Sequence, residues 1–418
     1  MTQSEIQFRL PIVDGNKIIF SWFPNSIFKE NQYWVEYPDL QVVTSSPGKL
    51  TEALFPICLG LSVLNNTRIV LPVKISDSAL RHWRHVIQLV SLASFRNKAI
   101  GTIVNGEHDA EYQVIKKGET VLSFGGGAES LLSLARLLQK GIRPTLASFG
   151  GPFWSGSNPE QNGDKFVLDE RISRDFRLPL LRVRSNFKSI INDSQWKPYL
   201  DKNLSVLDSV LFLPFFISFL LPVSEQLNIG RMVTGIEKMY LPKEHFCFTP
   251  VMTSALGEIA HGFNYEAHLS DLHKDEICRE LYQLYPDFAH YQYSCWHNKN
   301  ERWCHQCETC LEYFALLKAN RIDVSSVGMN EGKIQANREK LIHAVSASQE
   351  SRKGEVWERI YGFSRLRSDS ILSAMLDEIK RKSSFYHFVE HIYQTLPEWI
   401  RLLYRQQKGF FKRLTLQP

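Results

Sequence analysis

Apolar and polar residues alternate over Ile6 to Ile12, Lys17 to Phe23 and Gln32 to Tyr37, with the turn-forming segments VDGN and FPNS between them. That period predicts three short strands. It then lengthens: Gly48 to Leu64 and Ser76 to Leu92 carry apolar residues at helical intervals, with Ser76 and Asp77 placed to cap the second helix. Another pattern starts at Glu119. Thr120 to Phe124 reads as a strand, GGGAES follows, a helix runs from Ser130 to Leu138 and stops at Lys140-Gly141, and Thr145 to Phe149 reads as the next strand. Strand, loop, helix and strand in that order predict a parallel α/β unit, with ligands at the carboxyl ends of its strands. Leu178 to Arg184 and Met232 to Ile236 are further candidate strands. Val210 to Val223 is the most apolar run; it is short for a membrane span and carries Pro214 and Pro222, so it predicts a buried helix. Amphipathic helices are expected at Glu355 to Phe363, Ser370 to Ile379 and Phe385 to Leu396.

These patterns divide the chain into an accessory α+β domain over 1–117, a parallel-sheet α/β domain over 118–325, and a helical carboxy-terminal extension over 326–418. The 418 residues are 44% hydrophobic, enough for substantial cores. The net charge is only +5, but lysine and arginine outnumber acidic residues from Gly328 onward by more than that, leaving the rest near neutral. Such a tail suits contact with nucleic acid or an acidic protein, or equally a solvated helical surface. The amino terminus has no basic segment followed by an apolar run, so a cytoplasmic protein with no membrane association is expected.

Four of the seven cysteines crowd into SCWHNKNERWCHQCETC. Two Cys-x-x-Cys steps share Cys307, linking Cys304 to Cys310, and Cys295 supplies a fourth thiolate. This spacing suits one tetrahedral zinc ion with no open coordination position, hence a structural metal; reduced core thiols or a redox pair are the alternative. Cys58, Cys247 and Cys278 stand alone, as ordinary buried thiols do.

Gly125, Gly126 and Gly127 fall between a predicted strand and helix, where backbone N–H groups can approach an anion closely. Ser130 adds a hydroxyl and the helix dipole adds attraction. Glu129 would repel bare phosphate, so a carboxylate there makes sense as a ligand to Mg²⁺ bridging the phosphates. A tight turn with no ligand is the competing account of three glycines.

FGGGAES after a strand resembles the signature loop of the ATP pyrophosphatases, usually SGGxDS, which cleave ATP between its α- and β-phosphates. LSDLHKDEICRELYQLYP, SCW and WCHQCETCLEYFALLKANRID, in that order, are similar to the 7-cyano-7-deazaguanine synthases, which join such a loop to a four-cysteine zinc site. The resemblance covers roughly residues 121–324. It implies ATP, Mg²⁺ and Zn²⁺ as cofactors, with nucleotide contacts from Ser123, Gly125, Gly126, Gly127, Ser130, Ser148 and Gly235. It further implies catalytic roles for Lys274, Glu129 and Ser130, and metal ligation by Cys295, Cys304, Cys307 and Cys310. Gly126, Gly127 and Ser130 match the loop directly, whereas Gly125 replaces its first serine and Glu129 its aspartate. Lys274 and Glu276 match a Lys-x-Glu-Ile segment, and Gly235 matches a glycine after a later strand, placing Glu237 and Lys238 nearby. The segments that recognise deazaguanine, Pro-Gly-Arg-Asn and Gln-Arg-His, are missing. The additions at both ends, which the resemblance does not cover, imply a divergent branch such as the relatives of the synthase found in bacterial anti-phage defence operons.

The resulting expectation is an ATP-dependent ligase that adenylates a carboxylate, 7-carboxy-7-deazaguanine in the related synthases. The acyl group then passes to ammonia or to the amino terminus of a partner protein encoded nearby, giving an amide or nitrile. A catalytically silent nucleotide-binding scaffold of a defence complex and a tRNA-modifying enzyme are its rivals.

Overall fold

The computed structural model describes residues 5–43, 46–65, 67–94, 101–106, 118–150, 163–192, 212–238, 250–259, 264–295 and 302–340. The three amphipathic helices expected after residue 354, the basic tail beyond residue 340, and Cys247 lie outside the described residues.

The centre of the fold is a parallel sheet built from β7 (Glu119–Phe124), β8 (Thr145–Gly150), β9 (Leu180–Ser185), β10 (Ile229–Glu237) and β11 (Asn264–Leu269). Their spatial order is β11-β10-β7-β8-β9, all parallel. The chain steps outward from β7 to β9 and then returns to the other side of β7. That reversal opens a crevice at the carboxyl ends of β7 and β10, where α/β sheets place their ligands.

Both faces of this sheet are covered, because successive side chains of each strand point to opposite sides. Val121, Ala147, Phe149 and Met232 join one core, and Leu122, Leu146 and Val233 join the other. The first core is completed by helices Asp77–Ser94, Phe212–Leu220 and Pro250–Ile259. The second is completed by helices Ala128–Gln139, Lys274–Leu284 and Glu308–Ala319. The apolar run near residue 215 is thus a buried helix, ending in a 3-10 turn at Leu221–Val223 that takes up Pro222. No described helix is long and apolar enough to cross a membrane.

Local signals placed the helix after β7 well. Its apolar face is buried, and Gly141 at φ +74° ends it. The Gly141 and Ile142 N–H groups bond the carbonyls of Leu138 and Leu137, closing a Schellman motif. Ser76 caps helix Asp77–Ser94 as expected, accepting from the Ala79 N–H at 3.1 Å.

The amino-terminal strands are arranged in a way the local pattern did not show. β2 (Ile12–Asp14), β3 (Lys17–Ser21) and β4 (Gln32–Glu36) form an antiparallel meander, and β4 pairs with β9, so one eight-stranded sheet runs across residue 118. Arg182 on β9 binds Asp39, just past β4, and Glu170 on helix Gly163–Phe176. β1 (Glu5–Gln7) leaves this sheet to pair in parallel with β5 (Arg68–Val70), itself beside β6 (Ile103–Val104). The stretch expected as one helix from Gly48 divides into Pro47–Glu52 and Phe55–Asn65.

Candidate functional site

The loop after β7 occupies the crevice. Gly126 takes φ +69°, which a glycine adopts without strain, and its carbonyl accepts the Tyr293 N–H at 2.7 Å. Gly127 is the N-cap of helix Ala128–Gln139, with Glu129 in the first turn. The buried Ser130 hydroxyl donates to the Gly127 carbonyl at 3.0 Å and receives the Gly125 N–H at 3.4 Å, stitching the loop to the helix.

Lys274 opens helix Lys274–Leu284 and points into the same crevice. Glu276 caps this helix by accepting the His273 N–H at 2.9 Å, and the helix is keyed to Ala128–Gln139 by Arg136, whose guanidinium grips Glu280 at 2.7 and 2.6 Å. The ammonium of Lys274 contacts the Glu129 carboxylate and stands 3.7 Å from Glu237 at the end of β10. These three side chains are 11%, 19% and 11% exposed, so their charges meet with little water between them. The Tyr313 ring lies 5.3 Å from the same ammonium, within cation–π range.

Around this centre is a cavity of about 370 Å³. Ser123, Gly125, Gly127, Glu129 and Ser130 form one wall, with Thr234, Gly235 and Glu237 beside them. Phe149, Leu213, Phe216 and Ile236 supply an apolar end, and Tyr293, Ser294, Thr309, Glu312 and Tyr313 close the far side. Glu129, Glu237 and Glu312 outnumber Lys274, so a phosphate chain entering here needs cations with it. Those carboxylates are the hard oxygen donors Mg²⁺ takes alongside phosphate oxygens.

Of the residues implicated by resemblance, Ser123, Gly125, Gly127, Glu129, Ser130, Gly235 and Lys274 line the cavity together. Gly126 backs the loop. Gly235 has a packing reason to be glycine: a Cβ there would stand 2.7 Å from the backbone carbon and oxygen of Glu129. Ser148 is not brought to the cavity. Its hydroxyl is fully buried and donates to Asp169 on helix Gly163–Phe176, a carboxylate packed behind Gly126. Lys238 is exposed, and its N–H bonds the Leu272 carbonyl. The residues of the far wall carried no sequence signal of their own, although Tyr293, Ser294 and Thr309 are immediate neighbours of the cysteines.

The four cysteines converge. Their sulfurs all lie within 4.8 Å of one another, at 3.9 Å for Cys295–Cys307, 3.7 Å for Cys304–Cys310 and 3.5 Å for Cys307–Cys310. A tetrahedron of metal–sulfur bonds of about 2.3 Å has edges of about 3.8 Å, so the group can hold a metal ion. Backbone N–H groups of Cys304 and Cys310 already point at the sulfurs of Cys295 and Cys307. The neighbouring Cys295 sulfur pushes Cys307 and Cys310 far above the ordinary thiol range, whereas at Cys304 its upward push is outweighed by the hydrogen bonds of Cys307 and Cys310, which bring that thiol down to about 6. Cys278, by contrast, is an isolated core thiol pushed up to about 12 by burial.

The four-cysteine segment is tied into the fold on both sides. Arg302 donates to the carbonyls of Gln292 and Ala289, and the buried Trp303 indole donates to Val327 at 2.8 Å. Burial lowers the Arg302 guanidinium to about 10, which leaves it charged at neutral pH. Cys295 directly follows Tyr293 and Ser294, and Cys307 caps the helix that carries Thr309, Glu312 and Tyr313. Burial also lifts the Tyr313 phenol well above its ordinary range, so it stays neutral beside Ser294.

No protein-family profile and no curated protein matches the chain. Among solved structures, the U34-tRNA thiolase NcsA from Methanococcus maripaludis with its [4Fe-4S] cluster is 13% identical, over 66% of this chain and 88% of that one. The TM-score is 0.26, a likeness too slight to carry an argument about this chain.

Proposed function

We propose that the chain is an ATP- and Mg²⁺-dependent ligase that activates a carboxylate as its adenylate and passes the acyl group to an amine. The observation that carries this reading is Lys274 set against Glu129 and Glu237 in a cavity floored by the glycine loop. A carboxylate is a poor acyl donor because oxide is a poor leaving group. Attack by its oxygen on the α-phosphorus of ATP forms a C–O–P linkage and expels pyrophosphate; attack by the amine then expels AMP. Bound Mg²⁺ would neutralise charge on the phosphate chain. The chain's own groups position and neutralise. Loop N–H groups and the helix N-terminus orient the phosphates, and Lys274 meets the charge developing on the departing pyrophosphate. Glu129 and Glu237 would hold the cation, and no side-chain nucleophile is required.

The four-cysteine site holds zinc in this reading, as a structural ion that leaves no position for substrate. A 7-carboxy-7-deazaguanine substrate follows from the sequence resemblance, and the apolar end at Phe149 and Phe216 suits a planar heteroaromatic ring. A partner protein's amino terminus, in a defence setting, is the acceptor we favour over ammonia because of the chain's additional segments. The test supplies purified, zinc-loaded protein with the deazaguanine acid, Mg·ATP and candidate partner proteins. Release of AMP and pyrophosphate with a mass increase on product or partner is expected. Tight nucleotide binding with no AMP would replace the ligase by a scaffold.

A further inference from the structure

A buried amide fixes which way a hydroxyl at the cavity wall gives its proton. Gln292 is fully buried, with Tyr282 at one end of its amide and Ser294 at the other. Its carbonyl oxygen accepts the Tyr282 phenol, and its N–H donates to the Ser294 Oγ at 3.1 Å. Burial lifts the Tyr282 phenol above its ordinary range, so it stays neutral and has a proton to donate. An amide accepts at one end and donates at the other, so this order leaves Ser294 receiving through its oxygen with its own proton to give. Ser294 lines the cavity beside Tyr313, and its Oγ is 3.9 Å from where a Cβ on Gly127 would stand. It therefore lies across from the start of helix Ala128–Gln139.

We infer, resting on the ligase reading above, that Ser294 donates to the carbonyl oxygen of the activated acyl group as the acceptor amine attacks it. On that reading the phosphates meet the loop N–H groups, the helix N-terminus and Lys274. A neutral hydroxyl suits a different oxygen, one that is uncharged in the adenylate and gains charge only while the amine nitrogen bonds to the carbonyl carbon. The electron pair then returns to the carbonyl, the carbon–oxygen bond to phosphate breaks with its electrons leaving on AMP, and the surplus proton of the amine passes to water. Gln292 and Tyr282 touch no substrate in this scheme; they are positioning residues that set the direction of the hydroxyl.

The two half-reactions, measured on the full zinc-loaded chain, separate this role from binding. Exchange of labelled pyrophosphate into ATP, driven by 7-carboxy-7-deazaguanine, reads adenylate formation, in which the reacting centre is phosphorus and the carbonyl oxygen gains no charge. Hydroxamate formation with hydroxylamine as the amine reads acyl transfer. Ser294→Ala should exchange at the wild-type rate and form hydroxamate roughly 10²–10³-fold more slowly, the scale for one donor aimed at developing charge. Ser294→Thr, which keeps the hydroxyl, should retain most of the transfer rate, and Gln292→Met should lose part of it with exchange intact. Equal loss of both steps in Ser294→Ala would overturn the inference by moving the hydroxyl to the phosphates, and no loss in either would overturn it outright. A lowered zinc content or unfolding midpoint in Ser294→Ala would overturn it by giving Ser294 a structural role. A wild-type chain that exchanges no pyrophosphate would overturn the ligase reading, and the inference with it.

Discussion

Tyr293 donates its backbone N–H to the carbonyl of Gly126 at 2.7 Å, so the strand-side glycine loop is held by a residue two positions before Cys295. The four-cysteine segment and the glycine loop, far apart in sequence, are therefore joined directly, and loosening the first should loosen the second.

Cys295→Ser tests that coupling. On the zinc reading proposed above, the variant loses the zinc that wild type carries, measured by elemental analysis, and about 4 kcal/mol or more of unfolding free energy in urea, because a structural metal's binding energy is folding energy. Mg·ATP binding should fall with it. A variant that kept full nucleotide affinity without metal would separate the two elements.

Lys274 answers to two carboxylates, and the two roles this gives it can be separated. Lys274→Met should cut pyrophosphate release roughly 10²–10³-fold, the scale for removing one donor aimed at developing charge. It should also destabilise the free protein, since Glu129 and Glu237 then face each other without a counter-charge. Adding Glu129→Gln to Lys274→Met should restore stability in urea titrations without restoring turnover. Restored turnover would place the catalytic cation elsewhere.

Gly235→Ala forces a methyl group to 2.7 Å from the Glu129 backbone. The helix start must move away from β10, at a cost of about 1–3 kcal/mol. A Cβ built on Gly125 meets no protein atom within 4 Å, so unfolding midpoints of this variant and Gly125→Ala should differ accordingly, the first lowered and the second unmoved.

Asp39 and Arg182 join the segment after β4 to β9, where the antiparallel extension meets the parallel sheet. The hydrogen bond from Arg182, then the charges of Arg182 and Arg184, hold the Asp39 carboxyl below the ordinary carboxylate range. Its folded pKa is depressed, so its contribution is complete above the unfolded carboxylate pKa of about 4 and disappears as pH falls through the lower folded value. Asp39→Asn should cost roughly 1 kcal/mol or less at neutral pH, since the pair is partly exposed. Urea titrations at neutral pH and below pH about 3 should show that difference closing as acid is added.

Much of the site was legible because its signals are local. The glycines between β7 and its helix, the Lys140-Gly141 stop, the Ser76 cap and the cysteine spacing each depend on neighbours within a few residues. The edge strand β11 was missed although NYEAHL alternates polar and apolar residues; its partial burial, complete only at Leu269, is set by its place at the sheet edge. Ser148, a nucleotide contact by resemblance alone, is turned away from the cavity and meets the buried Asp169 instead.

The sequence by itself determined the parallel strand, glycine loop and helix, and the four thiols poised for one ion, because turn chemistry and short spacing act over single turns of chain. Only the tertiary structure decided that the strands before residue 118 extend the same sheet. It alone decided that Glu129, Glu237 and Glu312 gather near one lysine, and that the cysteine segment forms the far wall of the cavity. Those contacts join residues dozens to more than a hundred positions apart, and they exist only once both faces of the sheet are covered and the strand order has reversed around β7.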